Sequence, residues 1–353
     1  MNKLLHKIQH FFLYFTVVLP LAAQDPVKVR FGSVIPKDSP WEEGINTYIK
    51  NVESKAGGRL RFKTYLGGQL GGEVEMIKSI AMGSLDAGAF SLASIAEALS
   101  LPQLQVFELP FLFSSDEEAD YVMDQMFEQM SEILAKKGIV LILWGTNGWR
   151  SFGTKTKPIL SPADLKGLKM RAQESEVYVS FYKAMGATPV PIATPEVLVA
   201  LKTGMVDGYD QTPVFSLSSS WINTVKHYSL TKHIYQPGAV IISKRFLDKQ
   251  PADLQQVLLA RSERASLQKT ARELVRKEDA EVLSSFPGLG VKVHTLTEAQ
   301  REAFRKAAQP VYTSLESKIG KNLITAVQNH IRTFQQLRKS TSAPTDPKKT
   351  QKK

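Results

Sequence analysis

The chain has no cysteine. That excludes disulfides, a thiol nucleophile and a lipid-bearing N-terminal cysteine. Histidine is scarce. His6 and His10 fall in or near the N-terminal leader, and His227, His233, His294 and His330 show no metal-ligand spacing such as H-E-x-x-H. His227 and His233, six residues apart on a polar stretch, read as surface residues. There is no G-x-S-x-G elbow, no G-x-G-x-x-G after the first strand, and no internal repeat. The glycine-rich GGQLGG at 67–72 lacks the Lys-Ser/Thr ending of a phosphate loop, so it reads as a tight strand-to-helix turn. With no catalytic motif, no metal set and no cofactor fingerprint, the sequence points away from an enzyme and implies no cofactor.

Two further absences concern location and partners. After the first two dozen residues no apolar run approaches the ~20 needed to span a bilayer. Basic residues form no block interleaved with aromatics, so nucleic acid is not expected as a partner. The formal charge is +11. Lys3, Lys7 and the four lysines beyond Ser340, offset by Asp346, account for nearly half, leaving about +6 on the body. Such a charge is a mild attraction for anionic ligands.

What is present begins with a targeting segment. Lys3 and Lys7 precede an apolar run of about a dozen residues from Phe11 to Ala22, and Leu21-Ala22-Ala23 resembles a cleavage site. Residues 1–23 are therefore expected to be a signal peptide, with retention as an anchor the alternative, and the mature protein to be exported. The 353 residues, 43% of them apolar, suggest two domains.

Along the body, periodicity alternates between strand and helix. Val27–Ile35 is a strand. Ser39-Pro40-Trp41-Glu42 opens a capped helix with a capping box. RLRFKTY is a second strand, and Leu85–Ser91 a short buried one. A helix is predicted over 116–137, and Ile139–Trp144 reads as a strand buried on both faces. Gly145–Phe152 leaves it for a second module. There Ser161-Pro162-Ala163-Asp164 starts another helix, and Thr194-Pro195 caps one ending at Gly204. Phe215–Val225 reads as helical, Tyr235–Ser243 as a strand, and 251–285 as one long helix. The segment after Ser340 is Lys/Pro/Thr-rich and reads as disordered. The chain crosses between modules near Trp144–Gly148, near Tyr235–Gly238 and along the long helix. Such crossings predict a hinge closing on a ligand.

The stretch 168–212 carries the sharpest site candidate. Arg171 ends a short strand, a position from which a guanidinium can hold a carboxylate through two parallel hydrogen bonds. It could equally be satisfied by Glu174 or Glu176. Arg150, after Asn147-Gly148-Trp149 at the first crossing, is a second anion contact or a surface arginine. Asp207 and Asp210 could form a carboxylate pair. Tyr178, Phe181, Tyr182, Phe215 and Trp221 read as core.

In ordered succession the segments FGSVIPKDSPWEEG, GGRLRFKTYLGGQLGGEVEMIKSIAMGSLDAG, ELPFLF, NGWRSFGTKTKPILSPADLKGLKMR, MGATPVPIATPEVLVALKTGMVDG, YSLTKHIY and IISKRF resemble the solute-binding component of TRAP (tripartite ATP-independent periplasmic) transporters, the DctP-like family. The resemblance implies an α/β, two-lobed periplasmic-binding-protein-like fold with hinge strands and a long helix across both lobes. Expected boundaries are 24–147 plus 237–276 for one lobe, 148–236 plus 277–339 for the other, and 340–353 for a disordered basic tail. It implies that Arg171 binds a substrate carboxylate and that Arg150, beside Asn147, adds to the anion site. Gln211 takes the place of a ligand-reaching Asn in a segment Tyr209-Asp210-Gln211-Thr212 that departs from the family's Q-E-N-P. An aromatic often stands where Thr194 stands. Val34, Gly72 and Ser91 replace polar or acidic side chains of sugar-acid binders, suggesting a less polar pocket. The implied function is capture of a small organic carboxylate in the periplasm and delivery to separate membrane permease subunits. The rivals are an apolar or lipid-like ligand, with a helical-repeat (TPR-type) partner protein, and an exported enzyme using Asp210 as base.

Overall fold

The computed structural model describes residues 25–342, so the signal segment and the last eleven residues of the tail lie outside the described residues. Strands β1 (Val27–Gly32), β2 (Leu60–Tyr65) and β3 (Ala87–Ser91) pair in parallel, joined by helices α1 (Pro40–Lys55) and α2 (Glu73–Met82). Pro40 sits at the first turn of α1, and Ser39 Oγ accepts from Glu42 N. The expected capping box is incomplete: the Glu42 carboxylate accepts from Asp38 N rather than from Ser39 N. Trp41, Ile45, Tyr48 and Val52 form the buried face of α1, the stripe that the i, i+4, i+7 pattern dictates.

After β3 come α3 (Leu92–Leu99), a 3-10 turn at Pro102–Glu108, α4 (Asp116–Gln125) and α5 (Phe127–Ala135). The single helix expected over 116–137 is broken at Met126, whose ψ of 6° leaves the helical range. Strand β4 then runs for sixteen residues, Ile139–Thr154, well past Trp144. Next are β5 (Lys169–Ala172), α6 (Glu176–Ala184), β6 (Thr188–Pro191), α7 (Val197–Thr203), β7 (Gly208–Gln211) and α8 (Pro213–Ser218). Strand β8 (His227–Ser243) is also longer than expected. It leads into α9 (Lys244–Leu247), α10 (Ala252–Leu259), α11 (Arg264–Ser285), β9 (Lys292–Thr295), α12 (Glu298–Ala307), α13 (Gln309–Ile319) and α14 (Lys321–Ser342). The predicted long helix is therefore two. Ala260, buried with φ 42°, turns the chain between them, so that Leu254, Leu258 and Leu259 anchor in the first core while α11 sets off across the sheet. The helix at the C-terminus continues through Ser340 to Ser342, where disorder was expected.

The sheet order is β2-β1-β3-β8-β4-β7-β5-β6, with β9 beside β8. β8 and β4 pair antiparallel from Ile139↔Ser243 to Thr154↔His227 and carry two half-sheets. β3 joins the C-terminal part of β8 (Ala87↔Ile242 to Ser91↔Gly238). β7 joins the C-terminal part of β4 (Ser151↔Gln211 to Thr154↔Gly208). Between the halves lie the pairs Gly145↔Gly238 and Gly148↔Gln236, with a register shift after Thr146. Gly148, at φ 95°, absorbs that shift, and an added Cβ would lie 2.9 Å from Asp279 Oδ2. Helix α11 packs on α1 in one half and α8 in the other. α14 returns to the first half, where Phe334 packs on Tyr121 at 5.5 Å and Gln335 donates to Glu118. Among the described residues no helix is long and apolar enough to cross a membrane.

Candidate ligand site

The half-sheets meet around a cavity of about 860 Å³, part of it open to solvent. It lies beyond the C-terminal ends of parallel strands, the usual position in open α/β sheets. The halves are in contact around it. Gly68, at φ 73°, lies so near Pro195 that a Cβ there would come within 2.8 Å of Cγ. Trp41 donates its indole N–H to Thr146 O (2.8 Å) and meets Phe215 edge-on at 5.7 Å.

Gln173 ties the two sides. Its Nε2 donates to Ser91 Oγ (2.6 Å) and Ser94 Oγ (3.0 Å) across the cleft, and its Oε1 accepts from Gln236 Nε2 (2.6 Å). Glu73, first residue of α2, accepts from Ser91 N, Ser91 Oγ and Ser94 Oγ. Burial raises its carboxyl above the usual range, against those bonds and the nearby charge of Arg171. Gln236, at the crossing of β8, accepts from Asn147 Nδ2 (3.2 Å) and Arg150 Nη1 (2.8 Å). A continuous polar chain thus runs from Glu73 to Arg150.

The two arginines have opposite situations. Arg150 is fully buried, and its Nε donates to Asp210 Oδ2 at 2.5 Å. Tyr182 and His233 also bond Asp210 (2.7 and 3.3 Å), and the Tyr178 ring lies under the Arg150 guanidinium at 4.6 Å. Burial alone would raise Asp210, but Arg150 and His233 outweigh it and hold the carboxyl well below its usual range. Asp207 does not join a carboxylate pair; it accepts from Lys169 N at an exposed strand end. Arg171 is only 1% exposed. Its Nε and Nη2 donate to Ile192 O (3.1 and 2.9 Å), Nη2 reaches Thr194 Oγ1 at 3.5 Å, and the Trp221 ring lies 5.3 Å away. Neither Glu174 nor Glu176 pairs with it, and Nη1 makes no hydrogen bond. Burial, then repulsion from Arg150, pushes Arg171 down to about 10. It remains a cation at neutral pH, buried without a carboxylate.

Of the residues singled out in the sequence, Val34, Ser91, Asn147, Thr194 and Gln211 line the cavity. Arg171 stands directly behind Thr194. Thr194 was expected to cap a helix; no side-chain cap forms there, and its hydroxyl meets Arg171 instead. Gln211 Oε1 accepts from Thr212 N and Arg150, leaving its amide N–H free. Arg150 and Asp210 are turned to each other. Tyr209 packs on Trp221 at 5.4 Å and against Gly153, away from the cavity. Gly72 faces Ala193 across the cleft. His233, expected at the surface, is fully buried between Phe152 and Phe181 (4.5 and 4.7 Å), because β8 is covered on both faces there. Tyr178 and Tyr182 are core residues, but with hydroxyls on Glu108 and Asp210.

Sequence reasoning missed Glu73, Ser94, Gln173, Gln236 and the wall pair Trp41–Phe215. Glu73 had a signal: it shares a helical face with Ile77 and Ile80, the inward face of α2. Among the described residues no three metal-ligating side chains cluster.

Two half-sheets joined by through-running strands and closed around a cavity define a two-lobed solute-binding protein. The chain belongs to the family described as DctP, bacterial extracellular solute-binding protein, family 7, which matches residues 31–318. It is 30% identical to the C4-dicarboxylate-binding periplasmic protein DctP of Rhodobacter capsulatus, over 87% of this chain and 92% of that one. A TRAP periplasmic solute-binding protein from Polaromonas sp. JS666, bound to D-erythronate, superposes with a TM-score of 0.81 at 31% identity, covering 86% of this chain and 98% of that one. The sugar acid binding protein of Advenella mimigardefordensis, in complex with galactonate, gives 0.83 at 28% identity, covering 88% and 99%. The α/β two-lobed fold and the family expected from the sequence both hold.

Proposed function

We propose that this chain is an exported, non-enzymatic solute-binding protein that closes on a small organic carboxylate and delivers it to the permease of a TRAP-type transporter. The observation that carries this reading is Arg171: a buried guanidinium with no carboxylate of its own and both N–H groups of Nη1 to spare. A buried cation is stable only if paired, and Thr194, at 3.5 Å from its Nη2, and Gln211 line the cavity as further partners for an anion. The relatives named above, two of them solved with sugar acids, support a carboxylate as the ligand class. Residues 24–147 plus 237–276, with α14 seated on them rather than on the second body as the expected boundary 277–339 had it, and 148–236 plus 277–320 would be the bodies that move, hinged where β4, β8 and α11 cross. Export by residues 1–23 would place the protein in the periplasm, where the relative from Rhodobacter capsulatus is named as working.

As an enzyme the site has little to offer. Asp210, the candidate base, is locked to Arg150 and held far from the pKa a general base needs.

The test is calorimetry on Arg171→Ala, using whichever of succinate, D-erythronate, galactonate and the C4–C8 fatty acids most raises the melting temperature of the wild type. A charge-assisted hydrogen bond contributes about 1.5–3 kcal/mol, so affinity should fall about 10- to 150-fold. Unchanged affinity would rule the anchor out.

A further inference from the structure

The two ends of the cavity differ in what they leave available to a ligand. At the polar end nearly every group is already engaged. Glu73 is held by Ser91 and Ser94, Gln173 by Ser91 and Gln236, and Gln236 by Asn147 and Arg150. A ligand hydroxyl placed there must displace one of these bonds to make its own, so it gains no net hydrogen bond. Free on the anion side are Nη1 of Arg171, the amide N–H groups of Gln211 and the hydroxyl hydrogen of Thr194, all donors suited to a carboxylate, while at the polar end Asn147 keeps its Oδ1 unbonded.

The opposite end is carbon. The cavity continues past Trp41 and Phe215 into a space walled by Ile45 and Tyr48 of α1, Leu267 and Ala271 of α11, and Leu143 and Val240 of the sheet. Even the aromatic walls present only rings. The Tyr48 hydroxyl is turned away to Leu258 O at 2.7 Å, and the Trp41 N–H is taken by Thr146 O. At Gly44 helices α1 and α11 approach closely beside this space: a Cβ there would stand 3.2 Å from that of Ala271.

Resting on the reading of Arg171 as carboxylate anchor, we infer that the site takes an amphipathic monocarboxylate and rejects polyhydroxylated acids. The head group lies by Gln211 and Thr194, and the hydrocarbon body runs past Trp41 and Phe215 into the space between α1, α11 and the sheet. The ligand class therefore differs from that of the relatives solved with galactonate and D-erythronate, on an otherwise shared frame. Apolar walls give the body its affinity, and the engaged polar chain supplies the discrimination, because beyond Oδ1 of Asn147 its bonds are already made.

The experiment uses the full mature chain, unfolded and refolded to strip any retained ligand. Calorimetry compares butanoate, hexanoate and octanoate with gluconate and with octanamide. Affinity should rise about fourfold per added methylene until the space is filled, the equivalent of about 0.8 kcal/mol each. Hexanoate should outbind gluconate, of equal carbon count, by at least about tenfold. Octanamide should bind at least about tenfold more weakly than octanoate. In Ala271→Leu, which fills the apolar end, the gain from hexanoate to octanoate should vanish while butanoate binds as before. If gluconate binds and hexanoate does not, the apolar body is overturned and the anchor stands. If octanamide equals octanoate, the anchor fails and the apolar end stands. If none of these acids binds, both are overturned.

Discussion

Arg150 and Asp210 form an ion pair at 2.5 Å in which neither side chain is exposed. Sixty residues apart in sequence, they meet because β4 and β7 pair with Phe152 opposite Asp210. The pair neutralises one of the two buried arginines of the cleft and leaves Arg171 as the excess positive charge.

Removing one member strands the other in the interior. Arg150→Met should therefore destabilise the fold by about 3–5 kcal/mol. Replacing both, Arg150→Met with Asp210→Leu, should recover much of that loss. Urea unfolding of the two variants beside wild type checks this; equal loss in single and double variants would show that the pair is not the unit.

Glu108 gives a pH prediction. Fully buried, with Tyr178 donating to it at 2.9 Å, it is pushed by burial from 4.5 up to about 8. A carboxyl whose folded value lies above its unfolded one contributes stability that is complete below 4.5 and is lost as pH rises through about 8. Glu108→Gln should remove this component. The difference in unfolding free energy between wild type and variant should shift in the variant's favour between pH 5 and 8, by up to about 1.4 kcal/mol per pH unit. A constant difference over that range would disprove the assignment.

The two amide N–H groups of Gln173 donate across the cleft to Ser91 and Ser94, with Glu73 Oε2 also within reach at 3.4 Å. These bonds exist only when the halves are together. Gln173→Ala should speed release of a bound carboxylate by about 30-fold, at about 1 kcal/mol for each of its two N–H bonds, while leaving the melting temperature of the ligand-free protein little changed. Stopped-flow release with a fluorescent carboxylate competitor reads the first, calorimetric scanning the second.

Gly148 cannot be exchanged for alanine without strain, both from its φ of 95° and from Asp279 at 2.9 Å. Gly148→Ala should lose about 1–3 kcal/mol of stability. Because the strain falls between the half-sheets, it should also shift the balance of open and closed forms, visible as a changed radius of gyration in solution scattering with saturating ligand.

These residues also mark where the sequence was readable. The βαβ units, the cap at Ser39 and the core face of α1 follow local rules, and the molecule keeps them. Arg171 was legible because it closes a short strand ahead of a polar loop. Arg150 was not. Gly145, Asn147 and Gly148 look like the end of a strand, whereas β4 takes them in as an irregularity and continues. With that extension hidden, so was the pairing with β7, and with it the partner of Arg150. His233 failed for a related reason: YSLTKHIY looks half polar, but burial on both faces is a property of the neighbouring layers. Gln173 and Gln236 carried no local signal, since an amide's role in a cleft depends on what stands opposite.

The sheet order places β8 between β3 and β4, although β8 is made about ninety residues after β4 begins. As the chain is synthesised or emerges from an export channel, β3 and β4 are each complete with one edge unpaired until residues 238–243 arrive to fill the gap. Exposed strand edges invite pairing with other chains, and late-arriving, non-local strands slow folding. The first lobe therefore cannot be obtained as an N-terminal fragment. A nascent chain shorter than about 243 residues is a substrate for chaperones rather than a half-built binding protein.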